Sequence, residues 1–211
     1  MVSVEVLLAF AAALISLRLG SLVASRWRAT RRPELAAWSG ALLAYAAASA
    51  ALTWGAAYGW DSRSFRVYYL FGALLTAPLL GVGSLLLYGW KRIIGPALIY
   101  VGLAVGIAIS VPVHGAFGDS IPAAQDHLQF LPARFVAIAA NTLGTLAVVA
   151  VAIVTIRRRP LGNGLILAGV AVAALGTALS GLGAAKTAIF VAIAAVLLYG
   201  GFTVSPRRSS N

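Results

Sequence analysis

Three cations stand where a membrane protein seldom puts them. Arg66, Arg134 and Lys186 each fall at or just inside the start of a long apolar run, at the end of the membrane pattern that carries few other basic residues. A cation at a helix start opposes the positive end of the helix dipole, and a cation outside runs against the retention of Lys and Arg in the cytoplasm. Two or three of them together define a candidate anion site. A lipid phosphate, a carboxylate or another small anion would be held by the side chains and by backbone N–H groups at the helix starts. The competing reading pairs these cations with Glu5, Asp61, Asp119 or Asp126 and lets them snorkel to outer headgroups. Polar residues below them extend the pattern inward. Arg134, Asn141 and Thr145 recur at i, i+7 and i+11, a single helical face, and Tyr45, Ser49 and Thr53 recur at i, i+4 and i+8. Tyr69 and Thr76 lie seven apart, and Thr177 and Ser180 three apart. If these stripes face one another, the bundle has a polar interior in its outer half. If they do not, they are interhelical hydrogen bonds worth on the order of 0.6 kcal/mol each. Asn141 is the strongest single candidate, because an amide near mid-depth needs partners. The candidate ligand-binding set is Arg66, Arg134, Lys186, Asn141, Tyr69 and Thr76.

Other chemistry is missing. The acids are Glu5, Glu34, Asp61, Asp119 and Asp126, and none is expected at mid-membrane. Ion-coupled carriers place a carboxylate or histidine inside the bundle, so the inventory disfavours a coupled transporter. His114 and His127 share a loop with Asp119 and Asp126, but their spacing fits no ligand motif and they read as solvated; no metal or cofactor is expected. The chain has no cysteine, which removes thiol chemistry, disulfides and iron–sulfur clusters. No motif for a nucleophile, a base or a cofactor appears, so the reading is a non-enzyme.

The elements that position these residues come from hydropathy and charge. The chain has 211 residues, 61% hydrophobic and 10% charged, where a soluble domain is about 25% charged. Eleven of the sixteen basic residues fall in four clusters: Arg26, Arg28, Arg31 and Arg32; Lys91 and Arg92; Arg157 to Arg159; Arg207 and Arg208. Each cluster follows the first, third, fifth or seventh apolar run. The alternation predicts an all-α bundle of seven transmembrane helices, N-terminus outside and C-terminus cytoplasmic. The spans run over about 4–24, 35–58, 66–88, 95–113, 133–156, 164–180 and 184–204, forming one domain with a polar tail at 205–211. The runs are continuous rather than alternating, which excludes a barrel, and open strands would leave backbone groups unpaired in lipid. The net charge of +11 is accounted for by the cytoplasmic clusters, so nucleic acid is not expected as a partner and membrane lipids are. The start, Met-Val-Ser-Val-Glu, is acidic where a cleaved signal would be basic, so the first run reads as a retained helix.

Within the bundle, Gly102-xxx-Gly106, Gly176-xxx-Ser180 and the Ala44, Ala47, Ala48, Ala51 face read as close helix packing. Trp27, Trp38, Trp60 and Trp90 read as an interfacial belt. Pro78 should kink the third span. A lysine in the seventh of seven helices invites comparison with microbial rhodopsins, but Lys186 stands about one turn inside its helix and the third span has no Asp or Glu for a counter-ion. The stretch Phe65-Arg-Val-Tyr-Tyr-Leu-Phe-Gly-Ala73, followed by Pro78 and Gly83-Ser84, resembles a segment of uncharacterised seven-helix membrane proteins of actinobacteria. That resemblance implies a multi-pass protein of the bacterial inner membrane and carries no established activity. Three functional classes stay open. They are non-enzymatic binding of a lipid or small anion from the outer side, a channel or uncoupled facilitator, and an accessory subunit meeting a second copy or another membrane protein.

Overall fold

The computed structural model describes residues 4–118, 120–157 and 160–178, with 190, 193–194, 196–198 and 200–201. Regular structure among them is helical throughout. Five helices are long and apolar enough to cross a membrane: α1 (Val4–Thr30), α2 (Pro33–Tyr58), α3 (Ser62–Tyr88), α4 (Lys91–Ser110) and α5 (Phe130–Thr155). A further helix, α6 (Pro160–Ala178), is apolar over Pro160–Val172. The protein is thus a multi-pass α-helical membrane protein. The seventh expected span lies largely outside the described residues. Those of its residues that are described are helical, and Leu198 and Gly201 pack against Gly169 and Ile166 of α6.

Prolines open two of these helices where a missing N–H is no loss: Pro33 begins α2 and Pro160 begins α6. α1 lies along α2. Ala9, Ala12, Ala13, Ser16, Leu19 and Val23 form its buried face at helical spacing, while Leu7, Phe10, Leu14 and Leu17 stay exposed, as lipid-facing residues should. On α2 the small face is used as expected, with Ala44, Ala48 and Ala51 buried. Among the described residues no atom stands within 4 Å of a Cβ on Gly102 or Gly106 of α4, so the close packing expected of this pair is not met there. Trp60, in the turn between α2 and α3, is 7% exposed, seated on Gly55 with its ring edge-on to Tyr68 at 5.4 Å.

Pro78 has a larger consequence than a kink. The eight residues before Ala77, Tyr69–Thr76, form a π-helix inside α3. Proline cannot donate and its ring crowds the carbonyl four residues back, so the helix widens and leaves carbonyls of the preceding turns without backbone donors. Side chains take their place. Tyr100 of α4 donates to Leu74 O at 2.5 Å, Thr76 to Phe71 O at 2.7 Å, and Asn141 of α5 to Ala73 O.

The turn before α3 is fixed by a capping box. Ser64 N–H donates to Asp61 Oδ1 at 2.7 Å and Asp61 N–H donates to Ser64 Oγ at 3.0 Å. The Ser64 hydroxyl, then its backbone N–H, hold the Asp61 carboxyl below the ordinary value of 3.8. A depressed carboxyl stabilises the fold above that ordinary value and loses its effect as pH falls through the lower, folded value. We expect the melting temperature of Asp61→Asn to sit below that of the wild type at pH 6. The two should converge as pH falls through the lowered, folded value. A gap that is independent of pH would refute the charged cap.

Candidate functional site

The basic clusters Arg26–Arg32 and Lys91–Arg92 mark one end of the bundle; the candidate site lies at the other. There the segment 111–129 folds back over the helix ends. His114 N–H donates to His127 O at 3.0 Å, and the His127 Nδ1 lies 2.8 Å from His114 O. The His127 ring stacks on Phe117 at 4.4 Å and packs beside Phe65 of α3. His127 is therefore buried and not solvated. An imidazole that closes a loop by its own hydrogen bond and fills an aromatic cluster has no reason to face water. Among the described residues no group of three metal-binding side chains forms. Val111 and Leu128 complete the cap, joining Phe65, Tyr69, Ile107 and Ala133 in the main apolar cluster.

Arg66 is engaged with backbone. Its Nη1 donates to Ala108 O at 2.5 Å, with Ile109 O at 3.4 Å, so its charge meets the negative end of the α4 dipole. This accounts for a cation at the start of α3: it serves the end of its neighbour. Arg134 stands over the Phe130 ring at 5.7 Å. The ion pair present among the described residues is Arg32–Glu34 at the basic end, so the expected partner Asp61 takes neither Arg66 nor Arg134. Glu5 and Asp119 lie outside the described side chains.

Tyr69 is 7% exposed, and its hydroxyl has no hydrogen-bond partner among the described residues. A small cavity of about 10 Å³ lies beside it, lined by Phe65, Arg66, Tyr69, Ile107, Ala108 and Val111 among others. That is room for about one water. Thus Arg66 and Tyr69 of the predicted set line one cavity, and Ala133, the neighbour of Arg134 in the chain, lines it too. Asn141 and Thr76 do not join them, since both donate to carbonyls of the π-helix. The seven-residue spacing of Tyr69 and Thr76 promised one face. A π-helix takes an extra residue per turn, so that spacing no longer returns to the same side. Lys186 and Ser180 lie outside the described residues, as does the Thr177 side chain. Among the described residues Ser49 Oγ is also buried without a partner, while Thr53 of the same stripe donates to Ser49 O at 2.8 Å within its own helix.

Two contributors escaped sequence reasoning. Tyr100 is one, though a mid-span proline demands donors at its depth on adjacent helices. The aromatic cap is the other, and Phe117 near His127 gives no local signal of it. No family model matches the chain, and neither a curated protein nor a solved structure matches it.

Proposed function

We propose that the protein is a non-enzymatic binding protein of the bacterial inner membrane. In this reading it has seven spans, N-terminus outside, and takes an anionic oxygen of a lipid or small solute at its outer end. The observation carrying this is the Tyr69 hydroxyl, a buried donor with no acceptor among the described residues, in a cavity that Arg66 also lines. A phosphate or carboxylate oxygen entering the small cavity supplies the missing acceptor, and the rest of its headgroup stays outside the cap. Arg66 has guanidinium donors beyond the one it spends on α4, and Arg134 balances the charge. Lys186 belongs to the proposal as a third cation. The span 3 segment keeps its resemblance to actinobacterial seven-helix proteins as part of the same reading.

Native mass spectrometry of the gently extracted protein tests this. We expect a retained anionic lipid, or retention of added inorganic phosphate, to fall at least tenfold in Tyr69→Phe and in Arg134→Ala. Lipid retention alone assigns a headgroup; phosphate retention assigns a free anion. Equal retention by both variants and the parent would refute the site. The subunit reading keeps one observation of its own, the uncovered Gly95, Gly102 and Gly106 on α4. It calls for a stoichiometric partner on affinity purification from native membranes.

A further inference from the structure

At the basic end, remote from Tyr69, a cavity of about 180 Å³ opens between α2, α3, α5 and α6. It exceeds the roughly 150 Å³ that admits a benzene-sized guest and falls short of the roughly 300 Å³ of the smallest drug-type pockets. Its lining is more polar toward the helix ends, where the apolar Leu87 also stands. Thr155 is the last residue of α5, Asn163 lies in the first turn of α6, Ser84 in the last turns of α3, and Trp38 in the second turn of α2. Deeper in the membrane the walls are Leu80, Val148, Val170 and Leu198.

The polar rim is built. Asn163 is 7% exposed and its Nδ2 donates to Thr155 Oγ1 at 2.9 Å, while Thr155 donates to Val151 O at 2.7 Å. Ser84 is buried and donates to Leu80 O at 3.0 Å. Those bonds orient the groups without exhausting an amide that has two donor hydrogens and an acceptor oxygen. Trp38 is held by contact with Gly83, which has no side chain to push the indole away. A narrow apolar shaft with hydrogen-bonding groups at its interfacial mouth matches an alkyl chain headed by an ester or carboxyl oxygen. It does not match a free ion or a sugar, either of which would leave the walls wet.

We propose that this cavity takes the head-proximal part of one acyl chain, with its head oxygen at Asn163 and Thr155. The chain comes either from a bilayer phospholipid or from a free fatty acid. The site is separate from the outer anion site and stands without it.

Bromine quenches tryptophan on contact, and Trp38 lines the wall, so the occupant is readable. The protein is placed in nanodiscs and titrated with dibromostearate in one arm. In the other it is reconstituted with increasing dibromostearoyl phosphatidylcholine. We expect a saturable quenching component that disappears in Trp38→Phe. Its half-saturating concentration should rise at least tenfold in Val148→Phe, which fills the shaft, and several-fold in Asn163→Leu. If Val148→Phe does not fold, Val170→Phe serves as the filling variant. Saturation by the acid alone assigns a free single-chain ligand, and saturation by the phospholipid assigns a bilayer lipid; both support the site. Quenching that grows in proportion to bromolipid, or a saturable component untouched by filling, would overturn it.

Discussion

Replacing Gly144 with alanine lowers the stability of the bundle by about 2 kcal/mol, within the usual range for overpacking a tight site. The reason is the crossing of α3 and α5, where two backbones touch. A Cβ on Gly144 would stand 2.5 Å from Ala77 O, 2.7 Å from Ala77 C and 2.8 Å from Pro78 Cα. A Cβ on Gly81 would meet Gly144 Cα and O at 2.7 Å. All of these are main-chain atoms, so no rotamer change relieves the clash and the helices must part. In lipid the loss is felt directly, because close van der Waals packing is a main force between helices there. Gly102→Ala is the matched control. Nothing described lies within 4 Å of it, so the added methyl should be neutral or slightly favourable through helix propensity. Reversible unfolding in mixed micelles, titrated with denaturing detergent, reads both. Equal midpoints for the two variants would mean that the α3–α5 crossing is looser than these distances require.

Asn141→Leu should cost about 1–2 kcal/mol, more than a typical interhelical hydrogen bond in a membrane protein. The amide donates to Ala73 O across the helix interface and to Ala137 O at 2.8 Å within its own helix. Its removal strips that donor from the Ala73 carbonyl, whose i+5 position is the proline that cannot donate. The effect is therefore coupled to Pro78. In a Pro78→Ala background the restored N–H offers α3 a route back to regular helix, and the cost of Asn141→Leu should shrink by at least half. A double-mutant cycle in the same unfolding assay measures this. Strict additivity would break the link between the proline and the amide.

That coupling shows what could be read in the chain and what could not. Hydropathy and basic clusters place helices because lipid leaves the backbone little choice, and the small face of Ala44, Ala48 and Ala51 follows from composition alone. Asn141 was legible as a residue needing partners, but not which ones. Its acceptor lies 68 positions away, on a carbonyl exposed only by a local widening of α3. Arg66 was legible as a cation out of place, yet its use at the end of α4 depends on which helix stands beside α3, and one sequence does not order helices around a bundle. The burial of His127 depends on how a 19-residue connection folds back, which leaves no period in the sequence to find. The cavity at the basic end was equally hidden, since Ser84, Thr155 and Asn163 sit on three helices with no shared spacing.

The π-helix also changes what α3 can present. A regular helix turns by a constant angle, so choosing which way Phe65 and Tyr69 point would settle where Gly81 and Ser84 point sixteen residues on. The wide turn between them acts as a phase offset. It lets the first half of α3 address the cap while the second half is rotated to meet α5 and the cavity at the basic end. A one-residue deletion within Tyr69–Thr76 would turn one half against the other by roughly 100°. The spacing between the two ends of α3 thus sets which faces its two halves present.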